Sequence, residues 1–411
     1  MIVLVLNSGS SSLKYRVYEM PDEQLLARGL VERIGIDDGR LIHERNGDKH
    51  TIEQEIPDHA VAIDLVISAV TSAQHGVVES LDEIEAVGHR VVHGGEKATE
   101  SMLVTDEVIA AIEEYSEMAP LHNPPNLKGI LACQQKMPGV PNVAVFDTAF
   151  HQTMPDYAYM YAIPYQFYEK YRVRRYGFHG TSHRYVAQRA AQLIGRPLRH
   201  LELVTCHLGN GSSICAVKYG RSIDTSLGFG TTAGVPMGTR TGDIDPVVIM
   251  YLQRKLGLSR EELDELIYKK SGLKGVSGYS DMRDVEQHAL HQERLPVLAM
   301  RILSYSTRKY IGAYAAAMGH LDGIVFTGGI GENDALLRSL VLNDLEFLGV
   351  EVDELANQAA VGGKEAAICK PESRAKVLII PTNEELMIAR DALKVTRDVA
   401  GSGETPAARG A

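Results

Sequence analysis

An internal echo constrains this chain more than any other feature. VLVLNSGSSSLKYRVY (3–18) and LVTCHLGNGSSICAVK (203–218) share one plan: an apolar strand, a turn carrying Gly and Ser-Ser, then a second strand. The separation lies far outside the periods of solenoid repeats. The echo therefore predicts two related domains facing one another across a cleft. The length of 411 residues agrees, because a single core rarely grows that large.

Short β-rich runs alternate with amphipathic helical patterns along the rest of the chain, the signature of an α/β fold. Strands are expected at 1–7, 13–20, 86–95, 142–150, 201–209, 213–224, 323–329 and 376–382. Helix signals predict a helix capped by Ser182 and stopped at Gly195, and another opened by the capping box of Ser259 and Glu262. A long helix is expected over 294–318 with Leu298, Ile302 and Tyr305 inward, and a last one behind a box of Thr382 and Glu385. The small, polar tail at 399–411 reads as disordered.

The net charge of −11 argues against nucleic acid or an anionic membrane as main partner. No window approaches the roughly 20 apolar residues of a membrane span, and the short apolar run at 2–6 reads as a strand rather than a leader. Cys133, Cys206, Cys215 and Cys369 show neither CxxC nor zinc spacing, which fits buried thiols in a reducing cytosol.

Several stretches carry chemistry. The turn at Asn7–Lys14 can converge N–H groups, hydroxyls and one ammonium on an anion, or be an ordinary hairpin tip; it is not a P-loop. The turn HLGNGSS (207–213) has the same two readings, with Gly209 and Gly211 free to approach phosphate oxygens. IVFTGGIGEN (324–333) suits a nucleobase and ribose laid against backbone, or a tight strand-to-helix turn. Arg90 and Arg240 stand in apolar, glycine-flanked settings, and arginine's planar fork suits carboxylate or phosphate. His179 sits between glycines, and Asp147 ends an apolar strand, where ligands of open α/β sheets collect. Glu384, first after the strand near 380, is a sensible Mg²⁺ contact, whereas Glu385 suits the capping box.

In this order the motifs closely resemble the acetate kinase (acetokinase) family of the acetate and sugar kinase, chaperone and actin superfamily. LVLNSGSSSLKY, VTCHLGNGSSICAV, FDTAFHQTMP, RRYGFHGTSHRYV, MGTRTGDIDP, SGYSDMRD, FTGGIGEN and PTNEELMIA carry the resemblance from residue 1 to about 398. It implies two actin-like (ribonuclease H-like) α/β domains with a central nucleotide cleft, in a homodimer. The first domain would hold 1–150 plus about 385–398, and the second, with the nucleotide site and dimer interface, 151–384. The implied reaction is ATP + acetate ⇌ ADP + acetyl phosphate with Mg²⁺, or Mn²⁺ in its place.

Carried over residue by residue, Asn7 and Glu384 match the metal positions. Lys14, His207, Leu208, Gly209, Asn210, Gly211, Asp281, Met282, Arg283, Gly329, Ile330, Gly331, Glu332 and Asn333 match nucleotide positions. Arg90 matches the substrate arginine, with Val92, Leu121 and Phe178 as pocket wall. His179 and Arg240 match the transition-state stabilisers, and Asp147 the proton-transfer or orienting acid. A carboxylate is already an anionic nucleophile near neutral pH, so Asp147 is better placed as an orienter than as a base. Family members often read GFTPLEG ahead of the MGTR block; here GFGTTAGVPMGTR puts Thr231 where that proline lies, which opens propionate as an alternative substrate. A rival of another class is an ATP-gated chaperone or actin-like binding protein, which would leave Arg90, His179 and Arg240 unexplained.

Overall fold

The computed structural model describes residues 1–401. These fall into two compact units: Met1–Phe150 together with the chain from Asn383 onward, and His151–Thr382. Glu384, read from sequence as the end of the second domain, therefore belongs to the first. The reason is local: it opens the helix Glu384–Gly401, which packs on the first sheet.

The first unit is built on eight strands: β1 (Ile2–Ser8), β2 (Ser12–Glu19), β3 (Gln24–Glu32), β4 (Arg40–Arg45), β5 (Asp48–Glu53), β6 (Ile84–Val91), β7 (Met102–Leu103) and β8 (Asn142–Phe146). Their order is β5-β4-β3-β2-β1-β6-β8-β7. β1 is antiparallel to β2 and parallel to β6, which is parallel to β8. Its continuous apolar run reflects burial on both faces. Leu4 and Leu6 join Ile63, Val66, Ala132 and Cys133 in one core, with the helices His59–Val70 and Asn123–Lys136. The helix Glu384–Gly401 docks close to Gly88, where a Cβ would come within 2.6 Å of Ile388.

The second unit carries β9 (Glu202–Leu208), β10 (Ser212–Lys218), β11 (Arg221–Thr225), β12 (Gly323–Thr327), β13 (Ala366–Ala367) and β14 (Lys376–Ile379), in the order β11-β10-β9-β12-β14-β13. β9 is antiparallel to β10 and parallel to β12, which is parallel to β14. The five-strand series β3-β2-β1-β6-β8 and β11-β10-β9-β12-β14 thus repeat one topology, and the sequence echo is its first hairpin. This is the duplicated, actin-like α/β architecture.

Some expectations need correction. Strands β3, β4 and β5 were not anticipated, because charged residues break their apolar pattern. Asn46 and Gly47, both at positive φ, join β4 to β5, and Tyr219 and Gly220 split the expected strand 213–224 in the same way. The long helix is Arg294–Met318, but it buries Ala299, Met300, Leu303, Thr307 and Ile311 and leaves Leu298 and Tyr305 exposed. The buried face follows Met300, Leu303, Ile311, Tyr314 and Met318, so the stripe through Leu298 and Tyr305 is not the core face. The helix expected behind Ser182 begins earlier, at Gly180, which makes Ser182 a buried interior residue. Asn383, not Thr382, caps the last helix: its Oδ1 accepts from the Leu386 N–H at 3.2 Å. That helix runs to Gly401, so 399–401 are helical rather than disordered, and 402–411 lie outside the described residues.

Candidate active site

In the first unit, parallel pairing of β6 and β8 brings Arg90 and Asp147 to the same sheet edge, at the carboxyl ends of adjacent strands. Arg90 Nε and Nη2 donate to the two Asp147 oxygens at 3.0 and 2.6 Å, a bidentate pair with Asp147 only 1% exposed. Nη1 points the other way, 3.4 Å from Asn7 Oδ1, and Glu384 Oε2 lies 3.8 Å from Nε. Burial works against the Arg90 charge, but Asp147 and Glu384 outweigh it and hold its pKa above the ordinary arginine range. Burial pushes Glu384 up to about 7; Arg90 opposes the rise and Asp147 adds to it. Lys14 stands opposite Asn7 in the β1–β2 register. Asn7, Lys14, Arg90, Asp147 and Glu384 are therefore one cluster. Val92 is buried beside it, and Leu121, in the loop before Asn123–Lys136, is exposed.

The sequence reading missed the residues that brace this cluster. Asn126 accepts from the Val92 N–H at 3.1 Å and donates to the Ser8 carbonyl at 2.6 Å, joining the first glycine turn to the segment after Arg90. Asn123 clamps His93 from both sides, accepting from its N–H and donating to its carbonyl. Asn-Pro-Pro-Asn at a helix start was the available signal, since it sets two amides one turn apart. Arg16 donates to Asn383 at 3.0 Å and lies 3.4 Å from Glu385, anchoring the helix that carries Glu384. Glu385 is thus an ion-pair partner rather than a capping-box member.

In the second unit, the turn between β9 and β10 meets the turn after β12. Gly328 adopts φ +77, and a Cβ there would come within 2.6 Å of the Leu208 carbonyl, so only glycine fits. Gly328 opens the short helix Gly328–Asn333, which carries Gly329, Ile330, Gly331 and Glu332. Glu332 accepts from the N–H groups of Gly328 and Thr382 at 2.8 and 3.2 Å. It braces the turn from within. Asn333 holds Gly329 and Gly362 through its amide.

His179 and Arg240 converge on Gly211: a Cβ there would lie 3.5 Å from His179 Nε2 and 3.6 Å from Arg240 Nη1. His179 caps its helix at φ +57, a left-handed conformation uncommon for a residue with a side chain. Its Nδ1 lies 2.9 Å from Ser213 Oγ, and its ring stacks on His207 at 4.3 Å. Arg240 donates to the Thr231 carbonyl at 3.1 Å and pairs with no carboxylate among the described residues; burial lowers its pKa. Asn210 packs against Gly238, two residues before Arg240. Asp281 caps the helix Met282–Leu290, with Met282 buried and the Arg283 side chain exposed and ion-paired to Asp281 at 2.5 Å. Phe178 is buried in this unit, with its carbonyl 2.9 Å from His151 Nε2.

Comparison with known proteins identifies the family. The acetokinase family model matches residues 2–390. The acetate kinase of Thermotoga maritima is 54% identical over 401 residues, covering 97% of this chain and all of the relative. The crystal structure of Porphyromonas gingivalis acetate kinase superposes with a TM-score of 0.92 at 48% identity, covering 96% of this chain and 99% of that one. A propionate kinase from Francisella tularensis superposes with a TM-score of 0.89 at 40% identity, again over 96% and 99%. With matches running the length of both its units, the chain belongs to the acetokinase family.

Proposed function

We propose that the chain is an ATP-dependent acetate kinase, transferring a phosphoryl group reversibly and in line between ATP and acetate to give acetyl phosphate and ADP. The observation that carries this reading is the pair of donors over Gly211. Arg240, with no carboxylate of its own, and His179 face a glycine turn that favours an anion. Phosphoryl transfer needs alignment and charge neutralisation more than covalent chemistry. Arg90, held in one orientation by Asp147, supplies Nη1 to the acetate carboxylate. Acetate reacts as the anion it already is, which leaves Asp147 the task of orienting Arg90. Gly209–Gly211, Asp281–Arg283 and Gly329–Asn333 supply the nucleotide contacts, with Lys14 adding charge.

Asn7 and Glu384 fit Mg²⁺ or Mn²⁺: a carboxamide oxygen and a carboxylate are hard donors, and a magnesium bound with phosphates and waters uses few protein ligands. Bound there, the ion would neutralise phosphate charge. The exposed Tyr157, Val247, Met250, Tyr251 and Tyr305 of the second unit support a homodimer. Three buried free cysteines support a reducing, cytosolic setting, and no helix among the described residues is long and apolar enough to cross a membrane.

A second reading, a propionate kinase, is favoured by Thr231 and by the likeness to the Francisella protein. Trapping acyl phosphate as hydroxamate with acetate, propionate and butyrate decides between them. The expected order of kcat/KM is acetate first, with one methylene worth about 1–3 kcal/mol. Preference for propionate would replace the acetate assignment, and phosphate release with no acyl phosphate would sink both.

A further inference from the structure

Behind His179 lies a line of buried polar groups. Thr205 Oγ1 is 2.7 Å from His183 Nδ1, His183 Nε2 is 2.7 Å from Ser213 Oγ, and Ser213 Oγ is 2.9 Å from His179 Nδ1. Thr205, His183 and Ser213 are each 0% exposed. The geometry points to a one-way proton chain, from Thr205 through His183 and Ser213, that holds His179 as its Nε2–H tautomer and makes a neutral imidazole the hydrogen-bond donor at the Gly211 turn. The role of that donor rests on the kinase reading above; the direction of the chain does not.

Two proton orders can be written, because a hydroxyl and a neutral imidazole each carry one hydrogen. If His183 donated to Thr205, the Thr205 hydroxyl would be a buried donor with no acceptor, since among the described residues Oγ1 has no other partner. An unmet buried donor is costly. Thr205 therefore donates to His183 Nδ1, His183 Nε2–H donates to Ser213, and Ser213 O–H donates to His179 Nδ1. The His179 proton is left on Nε2, the atom that, like Arg240 Nη1, faces Gly211. Burial keeps His183 neutral by moving its pKa well below the usual histidine value, with His151 and His207 adding to the shift. The groups facing this pair are His207, stacked on His179; His151, edge-on to His183 at 5.7 Å; and Arg240. A neutral Nε2–H donor on His179 needs no added proton. Thr205, His183 and Ser213 are thus positioning residues, and His179 is the group that would touch the phosphoryl oxygens.

The test reads the tautomer directly. Long-range ¹H–¹⁵N spectra of the full chain, ¹⁵N-labelled at histidine and assigned with His179→Gln, should show His179 protonated at Nε2 and bare at Nδ1 near pH 7.5. Ser213→Ala should move a large share of the signal to the Nδ1–H form, and Ser213→Thr should restore the original. In turnover, Ser213→Ala should lower kcat about 10–100-fold with smaller changes in KM, as for loss of an outer partner that orients a histidine. Thr205→Val, of the same shape, gives a second reading and should shift the tautomer in the same direction. Nδ1–H in the unaltered protein, or Nε2–H persisting in both Ser213→Ala and Thr205→Val, overturns the chain. Failure of the unaltered protein to make acyl phosphate would instead remove the role of the donor, while the spectra still decide the proton order.

Discussion

Two of the three guanidinium nitrogens of Arg90 are taken by Asp147, at 3.0 and 2.6 Å, so the direction of the third is set by a buried carboxylate. A group used this way acts by orienting a cation rather than by moving a proton, and the two roles separate under substitution. Asp147→Asn keeps the side chain's size but turns an NH₂ toward a guanidinium that also donates, so the bidentate pair breaks. We expect kcat/KM for acetate to fall about 10²–10³-fold, the scale of losing one preorganised electrostatic contact. Steady-state kinetics showing a near-normal value would remove Asp147 from the site. Thr205 shows the same logic in a neutral setting: one buried hydroxyl with one partner determines which nitrogen of a histidine three hydrogen bonds away carries a proton.

At the scale of elements, the two units place strand–turn–strand hairpins at corresponding points of one topology, and in the second unit the turn after β12 completes the arrangement. Gly328 is where that arrangement is least tolerant. Its φ of +77 and its approach to the Leu208 carbonyl leave no room for a Cβ, so Gly328→Ala must displace either the β12 turn or the end of β9. Differential scanning calorimetry should show a loss of about 1–3 kcal/mol in the second unit, and ATP should bind more weakly because Glu332 holds the same turn. Unchanged melting and unchanged nucleotide affinity would show that the turn relaxes freely. The hairpins missed at Asn46–Gly47 and Tyr219–Gly220 belong to this scale too. At Asn46–Gly47 the dipeptide was a visible signal, but charged flanking strands masked the alternation that usually accompanies it.

Across the whole molecule, buried histidines tie stability to pH. Burial lowers His89 and His93 to about 4 and moves His183 well below the usual histidine value, while unfolding returns each to about 6.5. The unfolded chain thus binds more protons between those values, so this contribution is complete above about 6.5 and is lost as the pH falls toward 4. The thermal midpoint should drop over that window, and His89→Gln, which can keep a bond to Asn142, should drop less steeply. Identical pH dependence in variant and parent would exclude His89 as a contributor. Much of this architecture was legible in advance. The echo predicted duplicated units, apolar runs located the central strands, and the ordered motifs pointed to a family and its chemistry. Local patterns did poorly where burial depended on a partner, as on the long helix, whose core face carries Met300, Leu303 and Ile311 while Leu298 and Tyr305 stay exposed. Taken by itself, the sequence determined the sites' residue types and their order, because turns, caps and apolar runs are local and leave local marks. Only the tertiary structure decided that Asp147 clamps Arg90, that Glu332 braces a turn and that Thr205 stands behind His179. Those pairings join distant segments through strand register and burial, and neither is written in any short stretch of chain.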